Sequence, residues 1–249
     1  MPTQRSRSRA AAPAPSAELR GNALLAALPA GERKLLNPAL ELIEFGFKMV
    51  VEEPGEPVRR VWFPHSGVLS TVSDASGDGA IEVATTGREG FTGLALLLEA
   101  GETTNRTFAQ IPGRADRLAA ADFRSLIDRL PTLRRLMLRC TAGVVAQIAQ
   151  GSACNRLHPV EQRCARWLLM TQDRVDGNEF PLTQEFLSQM LGVSRPSVSI
   201  AASVLQKAGF IRYVRGVVHV LDRPGLEAAS CECYRVVSGE FRRLIGAGG

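Results

Sequence analysis

The sequence predicts an α+β chain: an N-terminal β-roll, a long connecting helix and a C-terminal winged helix-turn-helix. Three observations predict it. Short β-rich runs punctuated by glycine fill residues 46–120, a proline-free helical stretch follows Pro131, and residues 183–209 read as two short helices folded across one glycine. A chain of 249 residues has room for about two domains.

Residues 1–22 are rich in Arg, Ser, Ala and Pro without an apolar block, which predicts a disordered basic tail, with a transit peptide as the alternative. Residues 23–45 suggest one or two short helices, with Leu24, Leu25, Leu28, Leu35, Leu36, Leu40 and Ile43 apolar. β-rich runs then fall at 58–63, 68–72, 81–85 and 107–111. Turn signals stand at Pro54-Gly55, Ser66-Gly67, Ser76-Gly77-Asp78-Gly79, Thr86-Gly87 and Pro112-Gly113. Closely spaced strands of this kind indicate a small antiparallel roll over 23–130.

From Pro131 to about Ala153, the residues Leu133, Met137, Cys140, Val144, Ile148 and Gly151 recur at spacings of three and four, a seam on one helix face. Gly143 and Gly151 would admit a close neighbour. A dimerisation helix over 131–154 is expected; the alternative is a helix packed on its own roll. Residues 155–249 are assigned to the winged helix-turn-helix, with a helix around Arg166-Trp167-Leu168-Leu169 and a turn at Asp176-Gly177.

Within that half, Thr183 can cap a helix, and Glu185 suits the positive end of its dipole. Phe186, Leu187, Met190 and Leu191 form one apolar stripe. Gly192 stands where a left-handed residue ends a helix, and Ser194 is a second cap followed by a tolerable Pro196. Val198, Ala201, Ala202, Leu205 and Ala208 then make an inward face, leaving Arg195, Ser197, Ser199, Ser203, Gln206 and Lys207 outside. After Gly209, residues 210–221 read as two β-rich runs joined by Arg215-Gly216, a wing. An ordinary α-hairpin would show the helix pair alone. Cap, glycine corner, second cap, hydroxyl-rich face and basic hairpin together have the format of a helix that enters the major groove.

Charge agrees. The formal balance is +3 over 1–20, −1 over 21–154 and +3 over 155–249, so the excess sits in the tail and the reader half, as a polyanionic partner requires. No apolar run approaches the ~20 residues of a membrane span, so a soluble chain without a membrane partner is expected. Five cysteines (Cys140, Cys154, Cys164, Cys231 and Cys233) without a secretory signal predict reduced thiols in a cytoplasm. Cys231-x-Cys233 lacks a second close pair, and only His65, His158 and His219 could supplement it. Buried or idle thiols are therefore expected rather than zinc or iron–sulfur ligation, with no cofactor. Gly87-x-x-Gly-x-x-Gly93 lacks a Walker lysine, and no acid–base pair or nucleophile triad stands out, so an enzyme is not expected.

In order and in three stretches, the chain resembles the Crp/Fnr family of bacterial transcription regulators. Gly55-Glu-Pro-Val-Arg-Arg-Val-Trp-Phe-Pro-His-Ser-Gly67-Val-Leu resembles the early roll strands, Asn155-Arg-Leu-His-Pro-Val-Glu-Gln-Arg-Cys-Ala-Arg-Trp-Leu-Leu169 the first helix of the DNA domain, and residues 182–210 the reader. The resemblance implies a cyclic-nucleotide-binding-like sensory roll, a homodimer, double-stranded DNA and an unknown small-molecule effector as partners, with RNA polymerase a further candidate. It places Arg195 against a guanine, with Ser194, Ser197 and Ser199 at phosphates or base edges, and Thr183 and Ser203 in the same interface. Arg212 and Arg215 of the wing would hold phosphates. Pro196 stands where a cytosine-reading glutamate is frequent. Ile200 replaces the usual second arginine and could only touch a thymine methyl.

The roll departs from the family's cyclic-nucleotide-binding members. Leu94 follows Gly93 where a ribose-gripping glutamate belongs, and Arg106-Thr107 offers the arginine and hydroxyl one place out of register. Gly93, Arg106 and Thr107 are the candidate effector contacts, and cyclic AMP is not expected. No cysteine precedes Cys140, so the iron–sulfur ligation of the oxygen-sensing branch does not carry over. The function expected is a sequence-specific DNA-binding transcription regulator acting as a homodimer. The alternative is a small-molecule-binding module acting through protein partners, with a vestigial reader.

Overall fold

The computed structural model describes residues 21–74 and 80–246. Residues 1–20 of the expected tail and the turn signal at 76–79 lie outside them. Asn22, assigned to the tail, belongs to the fold: it is buried and caps helix α1 (Ala23–Ala26). Its Oδ1 accepts from the Leu24 amide at 3.0 Å, and its Nδ2 donates to the carbonyls of Pro64 and Gly90. Helix α2 (Ala30–Leu36) follows and gives way to a single 3₁₀ turn, Asn37–Ala39, which contains Pro38.

Residues 41–45, expected in the helical region, instead form an outer strand of the roll, because Pro38 stops the helix and a long strand waits to pair. The roll strands are β1 (Glu41–Phe45), β2 (Val50–Glu52), β3 (Arg60–Asp74), β4 (Ala80–Thr86) and, after the short helix α3 (Leu94–Leu97), β5 (Arg106–Ala119). All pairings are antiparallel, in the order β1-β5-β3-β4, with β2 also on β5. Two expected turns are not turns. Ser66-Gly67 and Pro112-Gly113 lie within β3 and β5, where the register slips and the two backbones nearly touch. A Cβ on Gly113 would sit 2.1 Å from the Ser66 carbonyl oxygen, and one on Gly67 (φ +82°) 2.7 Å from that of Ile111. Only glycine fits there.

Helix α4 (Ala120–Leu126) leads to the long helix α5 (Pro131–Leu157), whose first amides donate to the Glu32 carboxylate of α2. Here the predicted seam packs on the chain's own roll, the alternative to a dimer face, rather than against a second copy. Leu133, Met137, Cys140 and Val144 are buried in the chain's own roll core, with Phe91, Leu97 and Phe123. Gly143 makes room for the ring of Phe241, 3.0 Å from where its Cβ would be, rather than for a second copy. The face left to solvent carries Leu138, Ala142, Val145, Ala149 and Ser152, again spaced four and three.

The second half comprises α6 (Val160–Gln172), β6 (Glu179–Pro181), α7 (Gln184–Leu191), α8 (Arg195–Lys207), β7 (Ile211–Val214), β8 (Val217–Val220), α9 (Arg223–Ala229) and α10 (Cys233–Ile245). It is not wholly a reader domain. Helix α10 returns to the first half, where Val237 and Phe241 complete the roll-side core. The reader in turn rests on the roll: Val68, Val72 and Ile111 share one cluster with Leu168, Phe186, Met190 and Leu205. Burying each such side chain is worth about 1.5–3 kcal/mol, so the two halves hold each other.

Candidate nucleic-acid interface

Local chemistry builds the helix pair as the sequence suggests. The Thr183 hydroxyl accepts from the Phe186 amide at 3.1 Å, and Gly192 ends α7 in the left-handed region (φ 61°). Ser194 caps α8, accepting from the Ser197 amide at 3.4 Å, while the Ser194 and Ser197 hydroxyls lie 2.9 Å apart. Val198, Ala201, Ala202 and Leu205 are buried as expected. Ala208 is not: it is the exposed C-cap of α8, where the helix has already run past the core. The Arg163 guanidinium of α6 donates to the Leu191 carbonyl and fixes the end of α7.

The wet face of α8 is open. Arg195 is exposed in the first helical position and makes no ion pair among the described residues. Ile200 is 61 % exposed and Val204, which sequence reasoning passed over, 47 %. Ser203 is half-buried. The serines are less free than expected. Ser194 and Ser197 serve the cap, and Ser199 donates to Gln184 Oε1 at 2.6 Å, tying the recognition helix to the first turn of α7.

Arg212 and Arg215 are exposed on the wing, and Arg215 (φ 51°) with Gly216 (φ 78°) makes the two-residue turn between β7 and β8. The wing is bolted to the rest of the reader by Tyr213, a residue the sequence reading assigned no role. The Tyr213 amide donates to Gln206 Oε1 at 2.8 Å, and its phenol to the Leu182 carbonyl at 2.7 Å. Arg195, Arg212 and Arg215 thus stand on a braced frame, which is what positioning on a duplex needs.

Polar contacts join this frame to the roll. Glu82 of β4 accepts from Ser70 Oγ at 2.6 Å and from Trp167 Nε1 of α6 at 2.9 Å. Burial pushes its carboxyl up to about 7, against the pull of those donors and of Arg166 and Arg174. The Arg174 guanidinium pairs with Glu89 at 2.7 Å, its stem passing through space that only Gly87 leaves open. Arg88 pairs with Asp176 at 2.7 Å, and Phe186 of α7 meets the rings of Phe47 and Phe108 edge-on.

The candidate effector residues do come together, but around the chain's own carboxylates. Thr107 Oγ1 donates to Glu52 Oε2 at 2.9 Å, and Arg106 Nε to Glu53 Oε2 at 2.8 Å. The Gly93 amide helps to hold the Glu52 charge, yet burial dominates and raises that carboxyl above its usual range. Gly93 itself (φ 94°) heads α3, and a Cβ there would sit 3.1 Å from the Val61 backbone.

All five cysteines are free and buried, as the expectation of buried or idle thiols has it, and three of them lie close together with a histidine. Cys154, His158, Cys231 and Cys233 gather their ligand atoms within 4.8 Å of one another. The second pair that Cys231-x-Cys233 lacks in sequence is supplied by the last turn of α5.

Residues 162–229 match the Crp-like helix-turn-helix domain. No curated protein sequence matches the chain. Among solved structures it is similar to FixK2 from Bradyrhizobium japonicum (16% identity, 77% of this chain and 98% of that one, TM-score 0.64). It is also similar to TTHA1359, a Crp/Fnr-family transcriptional regulator from Thermus thermophilus (19%, 76% and 98%, TM-score 0.60). A third is the c-di-GMP-responsive global regulator CLP of Xanthomonas campestris (15%, 77% and 99%, TM-score 0.59). Identities this low carry the fold and nothing about ligands. Roll, long helix and winged helix-turn-helix thus follow the fold of these solved regulators. Within that fold, the part of the chain that matches a family model is its Crp-like helix-turn-helix domain.

Proposed function

We propose that the chain is a homodimeric, sequence-specific transcription regulator that places two copies of α8 in successive major grooves, about 34 Å apart. One observation carries this: the Arg195 face of α8 is solvent-exposed and braced by the wing, while the opposite face is buried. Two-fold assembly is supported by the exposed Leu138–Ala142–Val145–Ala149–Ser152 stripe of α5, a repeat suited to pairing with a second copy. In this reading Arg195 reads a base, Ile200 and Val204 offer apolar surface to thymine methyls, and Arg212 and Arg215 hold phosphates. Ser194, Ser197 and Ser199 shape the helix that presents them. The roll senses something other than a cyclic nucleotide. Glu52 and Glu53 already occupy Thr107 and Arg106, and a phosphate would meet two carboxylates.

The test is binding of purified protein to a selected operator and to random-sequence duplex across a salt series. Arg195→Ala should cost roughly 1–3 kcal/mol on the operator and little on random DNA. Arg215→Gln should weaken both alike and flatten the slope of log K against log salt by about one contact. Equal losses on both DNAs for Arg195→Ala would remove its base-reading role. No binding to either at low salt would favour a sensory module with a vestigial reader.

A further inference from the structure

We infer that Cys154, His158, Cys231 and Cys233 form a structural zinc site that clamps the C-terminal arm to the corner between α5 and α6. The site lies away from the recognition helix and does not depend on the DNA-binding reading.

The geometry points to a single ion. Cys154 and His158 are four residues apart at the end of α5, so one helix face presents both. Cys231 and Cys233, the latter the first residue of α10, flank the exposed Glu232 and bring their sulfurs to the same point. The Cys154 and Cys231 sulfurs lie 3.5 Å apart, and Cys233 Sγ lies 3.5 Å from His158 Nδ1. A tetrahedron with metal–sulfur bonds of about 2.3 Å has edges of about 3.8 Å, so these two pairs need open by only a few tenths of an ångström, and the widest pair, within 4.8 Å, need close by no more than about 1 Å. All three thiols are buried. A disulfide would use two of the four groups and leave the others without a purpose. An iron–sulfur cluster would insert iron and sulfide between its ligands and spread them beyond the 4.8 Å observed.

The surroundings are those of a ligand set. His158 turns Nδ1 to the sulfurs and Nε2 to Glu232 Oε1 at 3.2 Å, the carboxylate–histidine arrangement that fixes a ligating tautomer. Gln150 Nε2 donates to Cys233 Sγ at 3.1 Å, as expected beside a thiolate. Three sulfurs and one imidazole is a closed structural donor set without a position for water or substrate, and soft thiolates select zinc over magnesium or calcium. The ion's work would be mechanical. Pro159 opens α6 immediately after His158, and α10 carries Val237 and Phe241 into the roll-side core. One ion would therefore pin the reader's first helix, the end of α5 and the C-terminal arm together.

The experiment uses untagged full-length protein purified anaerobically with thiol reductant and no chelator. Elemental analysis should find one zinc per chain. X-ray absorption should show three sulfurs at about 2.3 Å and one nitrogen at about 2.0–2.1 Å, and cobalt exchange should give thiolate charge-transfer and tetrahedral d–d bands. Cys231→Ser/Cys233→Ser should lower zinc to below a tenth of an ion, while Cys164→Ser keeps it. The wild-type spectra decide the matter even if the double variant does not fold. The inference is overturned by wild-type protein that holds no zinc after zinc addition and desalting. It is equally overturned by stoichiometric iron and sulfide, by a Cys154–Cys231 disulfide in the anaerobic protein, or by full zinc retention in the double variant.

Discussion

Glu82→Gln should make this protein more stable at alkaline pH and leave it unchanged in acid. Glu82 of β4 is half-buried against α6, and desolvation there pushes its carboxyl from 4.5 to about 7. The native state therefore keeps a proton that the unfolded chain has already released. The sign follows: the associated stability is complete below pH 4.5, declines as pH rises, and is gone above 7. A shift of this size corresponds to about 3 kcal/mol. Glutamine keeps the neutral form at every pH: Oε1 can accept from Trp167 Nε1, and Nε2 can donate to Ser70 Oγ, the two partners Glu82 has now. Urea unfolding followed by tryptophan fluorescence from pH 5 to 8.5 reads the effect at its source, since Trp167 is the donor. The variant's advantage should open through pH 5–7 and level off near 3 kcal/mol, roughly 6–12 °C in midpoint for a chain of this length. A difference independent of pH, or a variant less stable at pH 8, refutes the assignment of a buried proton to this carboxyl.

Two further outcomes follow from geometry. Gly113→Ala should cost about 3 kcal/mol or more, because its methyl would strike the Ser66 carbonyl, whereas Gly151→Ala, with open space around its Cβ, should gain about 0.5–1 kcal/mol in the monomer; thermal melts of both against wild type check this. Val145→Glu, at a position 61 % exposed on α5, should convert a dimer to monomer by light scattering with unchanged circular dichroism; a persistent dimer moves the interface elsewhere.

The reader was legible because its signals are local. A threonine cap, a glycine corner and a serine cap each act within four residues, and the structure keeps all of them. The roll was legible in kind but not in detail. Pro112-Gly113 and Ser66-Gly67 carry turn chemistry, yet here it serves a strand crossing decided by residues some forty-five positions away. The seam on α5 was real, but periodicity says only that a face is buried, not against what. That Phe241 would fill the space beside Gly143 could not be read from the helix itself. The same holds for Cys154 and Cys231, which meet across 77 residues. Sequence distance, not weak chemistry, hid that site.

Any signal received by the roll must change contacts that differ between two states of the reader, or it changes nothing. The structure supplies few candidates. Phe47 and Phe108 against Phe186, Glu82 under Trp167, and Glu89 holding Arg174 all join roll strands or the loop after them to α6, α7 or the segment just after α6. None touches α8. The recognition helix would thus move as a passenger on α6 and α7, held in register by Ser199–Gln184 and Gln206–Tyr213. Among these contacts, burial pushes the Glu82 carboxyl up to about 7, so its charge changes near neutrality. Deprotonation strengthens its bond to Trp167, but the cost of desolvating the charge outweighs the pull of Ser70, Trp167, Arg166 and Arg174, so the docked arrangement is weakened there. Loosening of the reader from the roll should therefore begin at the β4–α6 contact, before either half unfolds.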